Sequence, residues 1–349
     1  MTDVDGQAEE KPASRTRAHL FTALRYIALA VVIGFAVAFF AERWTQITDV
    51  ISRIPVWGVV ASFVVMLLGM VANVLSWVTI LNGLGHVVPL PRGSQIMLVG
   101  QLGKYVPGSV WGYVMQMELG RQYGIARARV LVTTLYAAGI GVVASLILGV
   151  SVIPSVAADQ PALAWLYLLL PIGLVCLHPR VMTWLSNLTL KVFRRPPLEH
   201  RVRYGTIAVA MGWSLLSYVL YGVHLHLLVG EVLPWSFITI LMLGGAISLG
   251  FTASLFAPIL PSGAGIRELV LILVMLAVSV PDAYAQAASL LSRAMFTAGD
   301  LLLAGAAVIL VLIMRRSLRA RDTASNEYAQ LGDWHAADEA PTGPHPAKD

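Results

Sequence analysis

The amino-acid sequence predicts an all-α polytopic membrane protein with about eight transmembrane helices, one or two of them broken or re-entrant. The 349 residues are 57% hydrophobic and only 12% charged, with a mean hydropathy of +0.75. A soluble protein carries about 25% charged residues, and a disordered chain combines low hydrophobicity with high charge, so both classes are excluded. The apolar residues also form runs near the ~20 residues that a helix needs to cross a bilayer.

The candidate crossings follow one another between residues 26 and 314. Those without internal charge are Tyr26–Ala41, Val56–Leu81, Val130–Ile153, Ala162–Cys176, Thr206–Gly230 and Trp235–Ala257. Two less regular segments follow, Leu269–Val280 and Ala283–Met314. The first run is preceded by basic residues, as in a signal peptide, but charged residues stand where a small-residue cleavage site would be. We therefore interpret it as a retained helix.

The distribution of lysine and arginine predicts the orientation, because cytoplasmic loops retain an excess of both. An even number of crossings with cytoplasmic termini leaves all but four of the 24 basic residues on the cytoplasmic side. The exceptions are Arg43 and Arg53 in outer loops and Arg267 and Arg293 at membrane depth. We thus expect a multi-pass protein of the cell (inner) membrane with both termini cytoplasmic.

Polar composition at the two ends predicts the domain limits. We expect a disordered cytoplasmic N terminus over residues 1–20, a transmembrane domain over 21–316 and a disordered cytoplasmic tail over 317–349. The single cysteine, Cys176, excludes an internal disulfide.

The first interruption lies in Gly93–Gly124, which is too polar for an ordinary crossing and too apolar for a solvated loop. Pro107-Gly108 should divide it into two short helices, because proline removes a backbone donor and glycine accepts unusual dihedrals. Irregular backbone at membrane depth survives only inside protein or beside a watery cavity, so we predict a re-entrant hairpin entering from the cytoplasm. Ser109 can cap the second helix, and Lys104 just before the break completes an anion site.

Three other features of this stretch suit a lipid site. Tyr105 and Trp111 can line an acyl chain or lie at headgroup level. Glu118 and Arg121 stand three residues apart and so share one face of the second helix.

The second interruption lies in Ala257–Glu268, which reads APILPSGAGIRE. Its prolines end one helix, its glycines permit close backbone approach, and Ser262 can cap a helix whose first turn carries Arg267 and Glu268. A charge inside a bilayer costs ~2.5–3.5 kcal/mol or more, so such residues are usually paired or functional. Both interruptions share the order of break, serine and helix with an acid and a base, which is compatible with an internal pseudo-repeat of the kind found in transporters.

Two segments, LGKYVPGSVW (Leu102–Trp111) and PSGAGIRE (Pro261–Glu268), together with Glu118, resemble signature segments of the lysylphosphatidylglycerol synthase transmembrane region. This family is also called the flippase-like domain family, and the resemblance runs from about Tyr26 to Met314. It implies translocation of an anionic phospholipid, an aminoacylated lipid or a polyprenyl-phosphate-linked glycolipid. Fused members add a soluble aminoacyl-transferase; only a short polar tail follows here, so we do not expect lipid aminoacylation.

The resemblance and the two interruptions together define the candidate substrate-binding residues. They are Lys104, Tyr105, Pro107, Gly108, Ser109, Trp111, Glu118, Arg121, Pro261, Ser262, Gly263, Gly265, Arg267 and Glu268.

Several of these residues also have a structural interpretation. Lys104 and Arg121 can serve as positive-inside anchors, and Arg267 with Glu268 can form a structural ion pair or snorkel at a helix end. Arg293 and Asp300 stand two helical turns apart, and we predict that they are structural ion-pair partners, either of each other or of the Arg267–Glu268 segment.

Metal, phosphatase and ATP-driven chemistry are not expected. His224 and His226 lie on different helix faces, which suits chelation poorly, so we predict polar residues near the outer interface. PSG and SR elements resemble lipid phosphatase motifs, but Ala264 and Gly299 replace the histidines, including the nucleophile. Gly103-Lys104 lacks the rest of a Walker motif.

The sequence thus favours a lipid translocator that needs no cofactor. The alternatives are an integral-membrane enzyme and an accessory subunit of polyprenyl-linked glycan assembly. Expected partners are a membrane lipid, glycan- or lipid-synthesis enzymes and, as one option, a second copy of the chain. Nucleic acid is not expected, because the basic residues gather in membrane loops.

Overall fold

The computed structural model describes residues 44–85, 87–105, 110–152, 169–176, 178–192, 202–255, 263 and 265–338. All regular structure in these ranges is helical. The helices are α1 (Trp44–Arg53), α2 (Val56–Gly83), α3 (Leu90–Gln101), α4 (Val110–Gln122), α5 (Arg127–Gly149), α6 (Leu169–Cys176), α7 (Pro179–Val192), α8 (Tyr204–Val229), α9 (Phe237–Leu255), α10 (Ile266–Ala277) and α11 (Asp282–Asp338). A 3-10 turn, Leu102–Tyr105, extends α3.

Five of these helices are long and apolar enough to cross a membrane: α2, α5, α8, α9 and the part of α11 that spans Asp282–Met314. Only 33% to 44% of their apolar windows is buried, so more than half faces outward, where lipid would cover it. On α2, Val60, Val64, Leu68 and Val71 form an exposed apolar stripe at helical spacing. The prediction of an all-α polytopic membrane protein is confirmed.

Some of the predicted crossings match these helices, and others do not. The predicted first crossing lies outside the described residues, and only Leu169–Cys176 of the fourth is described. The predicted segment Leu269–Val280 corresponds to α10, which at ~1.5 Å per residue is about 18 Å long and too short to cross a ~30 Å hydrocarbon core alone. It is a half-helix that begins inside the bundle.

The last helix is longer than predicted. It continues to Asp338, although the sequence predicted a disordered tail from residue 317. Between Met314 and Asp338 the chain has no proline and only one glycine, and alanine and arginine recur. Extending an existing helix through such residues costs little, whereas starting a new one is unfavourable. Residues 1–20 and 339–349 lie outside the described ranges.

The core of the bundle forms where α2, α5, α8, α9, α10 and α11 converge. Its fully buried members include Met66, Leu225, Leu243, Ile247 and Met275. Helices α8 and α9 approach closely, because a Cβ on Gly244 would lie only 2.7 Å from the Tyr218 carbonyl oxygen. Small residues at helix contacts permit this approach in membranes, as predicted for Gly244.

The first interrupted segment is a hairpin of α3 and α4. Gly100 faces Gln116 and Gly103 faces Gly112, so the two helices run antiparallel. A Cβ on Gly103 would lie 2.6 Å from the Gly112 backbone nitrogen, which shows how tightly the hairpin closes. The prediction of two short helices on either side of Pro107 and Gly108 agrees with these bounds, and the hairpin packs against α5 and α11.

The second interrupted segment joins α9 to α10, which also run antiparallel. Gly250 of α9 lies against Arg267, and Gly263 lies against Ser254. Helix α10 then packs between α9 and α11. Both interruptions therefore bring the chain back alongside the helix that precedes it.

Candidate functional site

A cavity of about 520 Å³ lies between the two interrupted segments. The 3-10 turn and α4 contribute to its wall from the first segment, while Gly263 and Arg267 contribute from the second. Helices α2, α5, α8, α9 and α11 complete the lining. The volume falls within the ~300–1,000 Å³ typical of small-molecule sites. Two stretches that are far apart in sequence thus meet at one cavity.

Asp300 of α11 anchors the first segment. Its Oδ2 atom accepts a hydrogen bond from the Tyr105 hydroxyl at 2.6 Å and forms a salt bridge with Lys104 Nζ at 2.6 Å. The Asp300 side chain is 3% exposed and that of Lys104 is 27% exposed, so the ammonium lies closer to the open cavity than the carboxylate. A buried carboxylate requires such partners, and this pair connects the end of α3 to α11.

Glu268 links the second segment to the same helix, α11. Its Oε1 atom accepts a hydrogen bond from Arg293 NH1 at 2.6 Å, and its Oε2 atom accepts one from the Gly265 backbone N–H at 2.7 Å. Glu268 therefore caps α10 and also ties it to α11.

The start of α10 differs from the prediction that Ser262 caps this helix. The N-cap residue is Gly265, with φ of +87°, a backbone conformation that only glycine adopts without strain. Gly263 also has a positive φ, of +64°, and lines the cavity.

Arg267 is the most deeply buried of the three cations that line the cavity. Its residue exposure is 6%, and its Cζ atom lies 4.3 Å and 4.4 Å from the ring centroids of Phe251 and Phe296. One of its terminal nitrogens, NH2, has no hydrogen-bond partner among the described residues. Arg267 therefore rests on aromatic rings while a donor remains unused.

Arg293 and Asp300 both lie in Asp282–Met314, the part of α11 that is long and apolar enough to cross a membrane. Measured along the helix from Asp282, Arg293 lies at ~16 Å and Asp300 at ~27 Å. Arg293 and Asp300 do not pair with each other. Each instead pairs with a residue of a different interrupted segment, and both line the cavity.

A second polar network positions the hairpin. The Trp77 indole N–H donates to Thr134 Oγ1 at 3.2 Å, and the Thr134 hydroxyl donates to Gln116 Oε1 at 2.6 Å. These three residues connect α2, α5 and α4 beside the cavity and all line it. The sequence interpretation did not include them, although a threonine inside an apolar crossing is a detectable signal.

The aromatic lining was also missed. Tyr218, Tyr221, Phe251 and Phe296 line the cavity, and the Tyr221 and Phe296 ring centroids are 4.9 Å apart. Aromatic residues in membrane helices are frequent, so only their convergence in space marks these four.

Five of the described predicted site residues do not line the cavity: Gly265 and Glu268 lie beside it, whereas Trp111, Glu118 and Arg121 lie away from it. Glu118 forms salt bridges with Arg121 at 2.6 Å and with Arg127 at 2.7 Å, and all three side chains are exposed. The hydrogen bond from Arg121, followed by that from Arg127, lowers the pKa of Glu118 to about 2. Trp111 is 48% exposed on the outside of the hairpin.

The remaining predicted site residues lie outside the described residues. They are Pro107, Gly108, Ser109, Pro261 and Ser262.

The two histidines predicted to lie near the outer interface are buried between helices, close to the end of α8. His224 is fully buried, with Nδ1 2.7 Å from Ser62 Oγ and Nε2 3.0 Å from Ser292 Oγ. His226 is also buried, and its ring packs edge-on against Trp235 at 4.5 Å. The physical reason is that serines on neighbouring helices satisfy the His224 ring nitrogens, which sequence spacing does not reveal. Among the described residues, no group of histidine, cysteine and acidic side chains is arranged to hold a metal ion.

A comparison with protein-family models shows the family to which this chain belongs. The family model described as lysylphosphatidylglycerol synthase TM region matches residues 27–304. The chain belongs to this family. The match includes both interrupted segments and Asp300, so the cavity lies within the lysylphosphatidylglycerol synthase TM region. Members of this kind are membrane proteins of lipid or glycolipid handling. A search of curated proteins found no match.

Proposed function

We propose that this protein translocates a lipid with an anionic headgroup across the cell membrane. One observation carries the proposal: the two interrupted segments and the helices long enough to cross a membrane enclose a cavity whose wall holds Lys104, Arg267 and Arg293. A polar headgroup must avoid the hydrocarbon core as it crosses, and such a wall replaces the water it loses. The acyl chains would remain in the bilayer outside the cavity.

The two ion pairs supply a means of coupling binding to movement. Lys104–Asp300 connects the first interrupted segment to α11, and Arg293–Glu268 connects the second to the same helix. An anion in the cavity competes with Asp300 and Glu268 for these cations. Binding therefore stabilises arrangements in which a pair is loosened, and a ligand shifts a conformational equilibrium only through such differential contacts.

The proposed orientation places both termini in the cytoplasm. It is supported by the concentration of lysine and arginine in alternate loops. The single Cys176 makes a labelling test simple. In a Cys176→Ser background, an Ala347→Cys variant should react with a membrane-impermeant maleimide only after the cells are permeabilised. Reaction with intact cells would contradict the orientation.

Translocation is tested with purified protein in proteoliposomes that contain a fluorescent phosphatidylglycerol in both leaflets. A translocator raises the fraction of lipid that an impermeant reductant can quench. Lys104→Ala should slow this exchange, because it removes a cation of the cavity wall. Lys191→Ala, which removes an exposed lysine on α7, is the matched control and should behave like the wild type.

Three outcomes count against the proposal. Wild-type protein that leaves the sidedness of phosphatidylglycerol and of a polyprenyl phosphate unchanged would contradict it. A Lys104→Ala variant that exchanges lipid at the wild-type rate would also contradict it. A covalently altered lipid detected by mass spectrometry would favour the alternative of a membrane enzyme. An accessory subunit of glycan assembly predicts instead that removing the cavity charges leaves the cellular phenotype intact.

A further inference from the structure

The charges that line the cavity do not balance. The charged lining residues are Lys104, Arg267, Arg293 and Asp300. Lys104 is neutralised by Asp300, and Arg293 is neutralised by Glu268. Arg267 forms no salt bridge with any described residue, and its NH2 nitrogen lacks an acceptor. The cavity therefore retains one uncompensated positive charge.

The surroundings of Arg267 leave one direction for a partner. The Phe251 and Phe296 ring centroids are 5.4 Å apart, and each is within 4.4 Å of the Arg267 Cζ atom. Two rings this close together cannot lie on opposite faces of the guanidinium, so they form a corner on one side of it. Arg267 also lines the cavity, so an acceptor would have to approach it from the side away from the two rings.

An acceptor is also required on energetic grounds. Removing a guanidinium from water without a partner is costly, and contact with aromatic rings returns only part of that cost. Arg267 is 6% exposed, so water alone does not solvate it. A guanidinium presents paired N–H donors that match the oxygens of a phosphate, which makes a phosphate a suitable partner.

The described lining of the cavity offers no free carboxylate for an ammonium group. Among the described lining residues Asp300 is the only carboxylate, and its Oδ2 atom already accepts from Lys104 and Tyr105. The sequence between Tyr105 and Val110 and between Leu255 and Arg267 contains no acidic residue. An ammonium would instead meet the positive charge of Arg267. Lys104 and Arg293 line the same cavity and add to this repulsion.

We infer that Arg267 contacts a lipid phosphate and that the cavity selects headgroups with net negative charge and no ammonium group. The inference rests on the proposed lipid substrate and narrows it. Phosphatidylglycerol and a polyprenyl phosphate share this chemistry, whereas an aminoacylated phosphatidylglycerol carries additional ammonium groups. The aminoacylated lipid that the family name suggests is therefore not the preferred ligand of this chain.

The experiment measures binding in detergent, without vesicles. Short-chain phosphatidylglycerol, its lysyl ester, phosphatidylcholine, a short polyprenyl phosphate and inorganic phosphate are each titrated against the full-length protein. Thermal stabilisation and native mass spectrometry report binding. Phosphatidylglycerol and the polyprenyl phosphate should bind, and the lysyl ester and phosphatidylcholine should bind roughly tenfold or more weakly, the scale of losing a charge-assisted hydrogen bond.

Variants connect the selectivity to Arg267. Arg267→Gln should weaken phosphatidylglycerol binding roughly tenfold or more, and Arg267→Lys should be intermediate because lysine keeps the charge and loses the paired donors. Arg53→Gln, which removes an exposed arginine on α1, is the matched control and should bind like the wild type. Arg267→Lys also keeps the test valid if Arg267→Gln does not fold.

Four results would overturn the inference. They are equal binding of the lysyl ester and phosphatidylglycerol, equal binding of phosphatidylcholine, unchanged phosphatidylglycerol binding by both Arg267 variants, and binding of inorganic phosphate without either lipid. If binding depends on Arg267 but vesicles show no exchange, the ligand inference stands and translocation alone is contradicted.

Discussion

Glu118 and Arg121 follow the first break, and Arg267 and Glu268 follow the second, so the two acid–base pairs have similar positions in the sequence pattern. Their surroundings are opposite. Glu118 and Arg121 are exposed and pair with each other, whereas Arg267 and Glu268 are buried beside the cavity. The difference follows from distance to the break. Glu118 lies about two helical turns beyond Val110, whereas Arg267 and Glu268 lie in the first turn of α10.

The comparison shows that the distance of a charged residue from the start of its helix decides its burial more than its residue type does. The first turn of a helix that begins inside a membrane protein points into whatever the break encloses. A charge in that turn is buried and must find a partner, as Glu268 does with Arg293. A charge two turns later reaches a different depth, where solvent and other surface residues compensate it.

The largest effect is expected for Asp300→Ala. It leaves Lys104 without a partner at a mostly buried site, and breaking a buried pair in this way costs ~3–5 kcal/mol. We expect a clear fall in unfolding temperature in detergent and loss of lipid exchange. The double variant Lys104→Ala/Asp300→Ala should recover much of the stability without recovering exchange. A single variant as stable as the wild type would show that the pair does not hold the hairpin.

A smaller effect is expected for Glu268→Gln. The amide can still accept the hydrogen bond from Gly265, but it no longer neutralises Arg293, whose side chain is 24% exposed and partly solvated. We expect a loss of about 1–3 kcal/mol in stability, together with slower exchange. Glu231→Gln, near the end of α8, serves as the control for removing a carboxylate outside the cavity. If Glu268→Gln and Glu231→Gln were equally stable, Glu268 would contribute no more to stability than a carboxylate outside the cavity.

The backbone at the second break is tested by Gly265→Ala. A side chain at φ of +87° is strained, and such positions cost on the order of 1–3 kcal/mol, so unfolding should occur at lower temperature. Gly212→Ala is the matched control, because Gly212 lies inside α8 with open space around it, and alanine favours a helix by about 1 kcal/mol. We expect the unfolding temperature to fall for Gly265→Ala and to rise for Gly212→Ala. A neutral Gly265→Ala would show that α10 can start with another backbone geometry.

The smallest effect is expected for Glu118→Gln, the other side of the comparison. Lipid exchange at neutral pH should match the wild type, because Glu118 is exposed and outside the cavity. The pKa of Glu118 is lowered from 4.5 to about 2, so its ion pairs contribute fully above pH 4.5 and are lost as the pH falls towards 2. Any stability difference between variant and wild type should therefore be constant from pH 5 to 7 and shrink below pH 4.5. A strong loss of lipid exchange in Glu118→Gln would show that Glu118 belongs to the functional site.

Local chemistry made the two breaks predictable. Proline and glycine act on their own backbone, so the interruption between α3 and α4 and that before α10 could be found from composition. The partner of Asp300 could not. Asp300 and Lys104 are 196 residues apart and form a salt bridge that no local pattern indicates. For Arg293 the sequence left two options open, Asp300 or the Arg267–Glu268 segment, and the structure pairs it with Glu268.

The sequence by itself determined that this chain is an all-helical membrane protein of the lysylphosphatidylglycerol synthase TM region, interrupted twice. Hydropathy and backbone chemistry are local properties, and each acts within a few residues of its origin. Only the tertiary structure decided that the two interruptions meet, that Asp300 and Glu268 neutralise two of the three cavity cations, and that Arg267 has no salt-bridge partner among the described residues. Charge compensation in a bundle depends on distances across helices, and the linear order of residues does not contain those distances.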